Sequence, residues 1–243
     1  GQQDYLNDGN ITYSVVTSAA SSSDAFYSGL NPADMTVTNL LLTNNAPMNS
    51  VSGAQSTLED TPLIFSAGNG NPISIGDSDA GSNALQVTLT GTNGTITLSG
   101  TGGLTFSVGD GANDAAMTFT GTIANVNAAL NGISFAPLGH FSGAAALQIV
   151  TNDQGNTGSG GAASDSDIVN ITVTAVNDAP AGTNKTVTTL EDTVYTFAAS
   201  DFGFTDPNDA PANSLAAVKI STLPIAGTLT NNGVAVTAGQ TIA

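Results

Sequence analysis

Nine side chains in this sequence have the chemistry and the placement to hold a hard cation: Glu59, Asp77, Asp79, Asp153, Asn177, Asp178, Glu191, Asp206 and Asp209. Ca²⁺ takes about six to eight oxygens from carboxylates, Asn side chains and backbone carbonyls of flexible loops. Asn177-Asp178 stands between an apolar run ending at Val176 and Pro180, which cannot extend a strand ladder. An aspartate at such a hinge is expected to reach a cation shared by two domains. Glu191 opens the next strand pattern, and Asp206 and Asp209 lie in a loop that can fold back to the same end. Glu59, Asp77 and Asp79 repeat these acids upstream, although the linker there reads Asn44-Asn45-Ala46-Pro47 and lacks an aspartate. Asp153 follows an apolar run at a turn, and Asp165 and Asp167 precede the last strand pattern of the middle region. These oxygens come from separate stretches and not from one contiguous calcium loop. The same residues also suit Asx turns and capping bonds that bind no ion. Asp110-Gly111-Ala112-Asn113-Asp114 has the spacing of a solvated hairpin turn and is read as one.

Chemistry beyond ion binding has little support. His140 is the sole histidine and there is no cysteine, which disfavours zinc. A serine nucleophile needs a base oriented by a third group, and no nucleophile-elbow motif accompanies His140. The two glutamates recur at equivalent places of a repeat, which fits construction better than a single active site. The expectation is a protein that is not an enzyme.

Charge narrows the partners. Nineteen acidic side chains stand against Lys185 and Lys219, with no arginine, for a formal charge of -17. That field excludes nucleic acid and anionic membrane surfaces as partners. Seventeen of the acids are aspartate, the shorter, turn-compatible carboxylate. The absence of cysteine fits a reducing cytosol equally well, but the acidic, lysine-poor, Thr/Asn/Gly-rich composition favours an extracellular, secreted or surface-displayed chain, whose expected cross-link is bound Ca²⁺. No signal peptide, membrane-length apolar span or lipidation motif is evident, so direct membrane insertion is not expected. Both termini read as cuts within a longer protein.

The elements that must position the acids are organised as a repeat. Asn45-Ala46-Pro47 followed by Thr57-Leu58-Glu59-Asp60-Thr61 returns as Asp178-Ala179-Pro180 followed by Thr189-Leu190-Glu191-Asp192-Thr193, about 130 residues later. Gly76-Asp77-Ser78-Asp79 then corresponds loosely to Thr205-Asp206-Pro207-Asn208-Asp209, and Gly94-Thr95 to Gly227-Thr228. Between the two openings, short alternating or apolar runs separated by Gly, Asn and Asp predict strands over 62–65, 85–89, 94–98, 104–108, 115–120, 133–136, 145–151 and 168–176. Residues 122–130 have helical spacing instead. The expected fold is all-β, with tandem immunoglobulin-like or cadherin-like antiparallel β-sandwiches. Residues 1–44, with strand patterns at 10–17 and 35–42, are expected to be the C-terminal strands of a preceding sandwich. Residues 45–179 are expected to be one complete repeat, and 180–243 the N-terminal part of a following, truncated one.

At these residues the chain resembles the cadherin-like tandem repeats of large bacterial surface proteins and type I-secreted, RTX-like adhesins. Val176-Asn177-Asp178-Ala179-Pro180 is similar to that family's domain-terminal signature, and Leu190-Glu191-Asp192-Thr193 to its domain-initial one. Phe135-Ala136-Pro137, Phe141-Ser142-Gly143 and Asn152-Asp153 resemble its late-domain pattern. The resemblance spans about 45–243 and implies export, extended stalks, calcium at domain junctions, and roles in cell adhesion or biofilm formation. It implies junctional ligands at Glu59, Asp77 and Asp79 in one unit, and at Asn177, Asp178, Glu191, Asp206 and Asp209 around the next boundary. The expected partners are neighbouring repeats of the same chain and surface or matrix glycans or proteins. Two other functions fit the same composition. One is a glycan- or receptor-binding module, for which Phe202 and Phe204 are the only close aromatic pair outside strand patterns; the other is a subunit of an extracellular sheath or filament.

Overall fold

The computed structural model describes residues 10–39, 42–209 and 211–243, and divides into two compact units meeting at Val173/Thr174. Its regular structure is mostly β-strand, with one short α-helix. Among the described residues no helix is long and apolar enough to cross a membrane.

The first unit opens with a hairpin of β1 (Ile11–Val15) and β2 (Met35–Asn39), in which Tyr13 faces Val37 and Val15 faces Met35. Leu40 and Leu41, which fall in the strand expected at 35–42, lie outside the described residues. Then follow β3 (Met48–Ser50), β4 (Gln55–Leu58), β5 (Leu63–Phe65), β6 (Ser74–Gly76), β7 (Ala84–Thr92), β8 (Gly94–Thr97) and β9 (Thr105–Val108). The unit continues with β10 (Ala116–Thr122), α1 (Ile123–Leu130), β11 (Ile133–Pro137), β12 (Gly143–Asn152) and β13 (Ser164–Thr174). One sheet has six strands in the order β4-β13-β12-β7-β10-β9, and a second has three in the order β5-β11-β8. The β10·β7, β12·β7, β12·β13, β11·β5 and β11·β8 ladders are antiparallel, while Thr43 and Ser159 form an isolated parallel bridge.

Side-chain alternation decides which face closes. In β7, Leu85, Val87 and Leu89 are fully buried while Gln86, Thr88 and Thr90 face outward. Met117 and Phe119 of β10, Leu147 and Ile149 of β12, and Val169, Ile171 and Val173 of β13 join them from the same sheet. Phe65, Ile96 and Phe135 enter that single core from the three-stranded sheet. Each such side chain contributes about 1.5–3 kcal/mol of transfer free energy on burial. Gly94 is required for this closure, because a Cβ there would overlap the Phe135 ring and come within 2.7 Å of the Ala136 carbonyl oxygen. The helical spacing at 122–130 resolves into α1, whose amino end is capped by Thr122 Oγ1 accepting from Asn125 N at 3.4 Å. Val126, Ala129 and Leu130 point to the core, and Asn127 ties the helix to β6 through paired bonds with the Ile75 backbone.

The strands expected in the middle region all form, most with ends shifted by no more than two residues; the strand expected at 85–89 runs on to Thr92, and the one expected at 168–176 begins four residues earlier, at Ser164. Strands β3, β4 and β6 carry no expectation, since each is three or four residues long and too short to show a period. Asp165 and Asp167 lie inside β13 and do not precede it.

In the second unit the regular elements are short. The pairs are β14 (Val218–Lys219) with β17 (Thr241–Ile242), and β15 (Thr230–Asn231) with β16 (Val234–Ala235). Asp201, in a 3-10 turn over Ala199–Phe202, accepts from Lys185 Nζ at 2.5 Å, from the Tyr195 hydroxyl at 2.9 Å and from Ala198 N at 2.9 Å. Those donors, led by the Lys185 ammonium, hold its carboxyl down at about 2. Among the described residues Val236 is the one buried hydrophobic side chain of this unit.

Local structure recurs between the units where the sequence repeats. Thr57 Oγ1 donates to Thr61 O and Thr189 Oγ1 to Thr193 O, closing equivalent turns in which Asp60 and Asp192 take φ of 55° and 58°. The Met48–Gly76 pairing likewise has its counterpart in the Ala181–Thr205 bridge.

Candidate metal centres

The acids expected to bind a cation gather in two places, one in each unit. In the first unit the loop after β6 folds Asp77 into an Asx turn: its Oδ1 accepts from Asp79 N at 3.1 Å and from Ala80 N at 3.2 Å. Asp79 Oδ2 accepts from Asn45 N at 3.1 Å, which ties the linker to this loop. The remaining oxygens, Asp77 Oδ2 and Asp79 Oδ1, are shut off from water and have no hydrogen-bond partner. The two carboxylates are close enough to act on each other's charge. Burial, with Asp79 beside it, pushes the Asp77 carboxyl up, whereas the Asn45 N–H and Asp77 hold Asp79 down. Leu42, Thr43, Asn45, Asp79, Thr157 and Gly158 line an adjoining cleft of ≈ 300 Å³. At roughly 30 Å³ per water, that is room for an ion with part of its hydration shell.

The second unit builds a matching arrangement from the equivalent residues. Asp178 N donates to Asp209 Oδ1 at 2.8 Å, as Asn45 N does to Asp79. Asp206, only 5% exposed, accepts from Asn213 N at 2.7 Å through Oδ2 and leaves Oδ1 buried without a partner. The Asn213 side chain knits the group by donating to Asn177 Oδ1 at 3.1 Å and to Asp209 Oδ2 at 2.7 Å. Thus the first acid of the loop, Asp77 or Asp206, keeps an unpartnered buried carboxylate oxygen in both units. Leaving such an oxygen unsatisfied costs about 1–3 kcal/mol or more, and a divalent cation is the partner whose charge fits it. The donor set, carboxylates with amide oxygens and no sulfur, is that of a hard cation.

The other candidates do not join these groups. Asp153 is 3% exposed, but its Oδ1 accepts from Gly155 N and Ala163 N and its Oδ2 from Asn44 Nδ2 at 2.6 Å. It staples the β12–β13 connection to the linker, which is further held by Asn44 N to Ser159 O and Ser159 N to Leu42 O. Glu59, 4% exposed, sits in the turn after β4, beside Asp60. Asp60 accepts from His140 N at 3.0 Å and lies 3.4 Å from His140 Nδ1, just before β12 begins, whereas Asp153 follows its end. The ten residues of β12 separate those ends by about 30 Å at ~3.3 Å per residue. Glu59 and the Asp77–Asp79 pair therefore occupy opposite ends of the same unit. In the second unit Glu191 is exposed, and its backbone carbonyl accepts from Thr193 Oγ1. Asp165 accepts from Asn49 N, in the middle of β3, at 2.7 Å.

No protein-family model matches this chain, and no curated protein matches it either. Its chemistry is read from its own residues.

The reading of Asp110–Asp114 as a turn agrees with the geometry, since Asp114 Oδ2 accepts from both Asp110 N and Gly111 N. Phe202 does not form an open platform with Phe204; it stacks on Phe197 at 6.0 Å, and Phe197 in turn meets Tyr195 edge-on at 5.1 Å. Sequence reasoning missed Asn213 as an organiser and Thr157 as a cleft residue. The one signal that could have found Asn213 is its place in the repeat, seven residues after Asp206 as Asn83 stands six after Asp77, and nothing in the sequence placed Thr157 beside Asp79.

Proposed function

We propose that this chain is a non-enzymatic, calcium-stabilised structural segment of an extracellular bacterial surface protein, a stalk or spacer serving adhesion or biofilm formation. The observation that carries the reading is the recurrence of one arrangement in both units. The residue before Ala-Pro donates its N–H to the second acid of the loop, and the first acid keeps a buried, unpartnered carboxylate oxygen. A surface loop that bound nothing would have no reason to preserve that arrangement across two copies, because it is destabilising without a cation.

On this reading the six- and three-stranded sheets are the two layers of a cadherin-like β-sandwich. Residues 45–179 form one repeat on this reading. Calcium fits better than magnesium because the oxygens are many, loop-borne and irregularly placed. Catalysis has no support in the surroundings of His140, which is engaged by the Asp60 carboxylate. The deciding experiment is thermal unfolding of the chain in EDTA, in millimolar Ca²⁺ and in millimolar Mg²⁺. Extracellular modules of this kind bind at about 10⁻⁴–10⁻³ M, so melting should rise with Ca²⁺ over that range and little with Mg²⁺. Identical melting in all three buffers would reduce the acidic loops to a solvated surface.

A further inference from the structure

Four asparagines in this chain precede glycine: Asn69, Asn93, Asn131 and Asn232. A glycine nitrogen, with no side chain to crowd it, is the backbone amide best able to attack the carbonyl carbon of the preceding Asn side chain. At three of these pairs the fold engages the reacting groups. Asn69 Nδ2 donates to Ile64 O at 3.1 Å, and Gly70 N to Ala67 O at 3.2 Å. Asn93 Nδ2 donates to Ala144 O at 2.9 Å, and Gly94 is buried against the Phe135 ring. Asn131 Oδ1 accepts from Ala67 N at 3.3 Å, and Gly132 N donates to Phe65 O at 2.8 Å. Asn232-Gly233 differs. Both residues are exposed, and among the described residues no hydrogen bond engages the Asn232 side chain or Gly233 N. The pair is the loop between β15 and β16, with φ of 51° and 82°, as a type I′ turn requires. The ladder that closes it has two residue pairs, Thr230 with Ala235 and Asn231 with Val234, and so short a hairpin opens readily.

We propose that Asn232 is a deamidation site, and that its conversion to isoaspartate loosens the β15–β16 hairpin. Gly233 N gives up its proton and bonds to Asn232 Cγ, the Cγ–Nδ2 bond breaks, and ammonia leaves. Water then opens the resulting succinimide. Hydrolysis at Cγ leaves aspartate. Hydrolysis at the backbone carbonyl leaves isoaspartate, with the main chain rerouted through Cβ and Cγ and the α-carboxylate set free. The balance is an amide plus water giving a carboxylic acid plus ammonia, with no change of oxidation state. The isoaspartyl form adds a methylene to the main chain of a two-residue loop, whose length sets the register of the strands it joins. Beyond the ladder, Val236 N donates to Leu229 O at 2.9 Å, and among the described residues Val236 is the buried hydrophobic side chain of this unit. Slippage of β16 therefore pulls on that side chain. The reaction needs no metal and is independent of the calcium reading.

The test ages the whole chain in warm, mildly alkaline buffer and follows the four Asn-Gly peptides by mass spectrometry after digestion, with isoaspartyl methyltransferase marking the rearranged product. Opening free energies run from about zero at frayed elements to the global value in a core, so Asn232 should deamidate at least about tenfold faster than the other three. In urea that lead should vanish, because all four pairs are Asn-Gly and only the fold distinguishes them. Hydrogen exchange at the Val236 N–H should be faster in the aged chain than in the fresh one. Asn232→Gly keeps a pair that the type I′ turn accepts, and it should abolish both the modification at this position and the change at Val236 on ageing. Equal rates at the four pairs in native buffer, or a lead at Asn69, Asn93 or Asn131, would overturn the site. Unchanged Val236 exchange in a chain carrying isoaspartate at position 232 would overturn its effect on the hairpin.

Discussion

Replacing Asp77 by Asn should reverse the order of stability between chelator and calcium. The side chain is isosteric, and its Oδ1 still accepts from the Asp79 and Ala80 N–H groups. What changes is Oδ2, covered and unpartnered in the wild type, which becomes an NH₂ group facing the Asp79 carboxylate. An unsatisfied buried oxygen costs about 1–3 kcal/mol, and the half-exposed setting of this side chain puts the gain near the lower end, about 1 kcal/mol. In EDTA the variant should therefore melt about 3–4 °C above the wild type for a domain of this size. In calcium the sign changes. Free ion at 100 times Kd stabilises the wild type by about 2.7 kcal/mol, and the variant, short of one ligand charge, forgoes most of that. The wild type should then lead by about 1.5 kcal/mol, the difference between those two effects. Urea unfolding followed by far-UV circular dichroism, in EDTA and in millimolar CaCl₂, reads both arms. A variant that is less stable in both buffers would refute the reasoning, because Asp77 would then act as a turn residue whose Oδ2 has no need of a cation. A variant more stable in both would mean that no ion uses that oxygen.

Asp114→Ala should cost about 1 kcal/mol through loss of the Asp110 and Gly111 N–H bonds, and calcium should raise the melting temperature as much as in the wild type. A diminished calcium response would place Asp114 among the ligands. Phe135→Ala, at the centre of the core shared by both sheets, should cost about 3–5 kcal/mol in urea unfolding; less than 1 kcal/mol would mean that the sheets do not close on it. Gly94→Ala should also destabilise, since its Cβ has no space beside Phe135 and Ala136 O. Asp201 ionises at about 2 when folded, below the ordinary 3.8, so its contribution is fully present above pH 4 and disappears as pH falls toward 2. Replacing Lys185 with Met should raise that carboxyl toward its ordinary value, observable by carbon NMR of the Asp201 side chain.

Much of the fold was legible because its signals are local. Alternation in Leu85–Leu89 and Ala145–Thr151 and helical spacing in Ile123–Leu130 are periodicities of the backbone itself, and each produced the element it predicts. The Asx-Ala-Pro and Leu-Glu-Asp-Thr blocks likewise declared a repeat, and the Thr57 and Thr189 turns take the same form in both units. Composition alone pointed to oxygen ligands, since a chain with no cysteine and seventeen aspartates has little else to offer a metal.

Which acids share a centre was decided by the tertiary structure. Glu59, Asp77 and Asp79 read as one set because they are neighbours in a repeat, yet β12 sets the turn that carries Glu59 about 30 Å from the other two. Asp153 looked as available as Asp206, but two backbone N–H groups and Asn44 had already satisfied it. Asn213 entered through a side-chain bridge, across 36 residues to Asn177 and across four to Asp209. The physical reason is common to all three. Whether a carboxylate is a ligand depends on how many donors reach it and from which side water is excluded, and strand length and loop closure settle both. Residue type and spacing indicate which side chains are able to bind a cation; only the folded backbone leaves Asp77 and Asp206 each with one buried oxygen and no hydrogen to pair it.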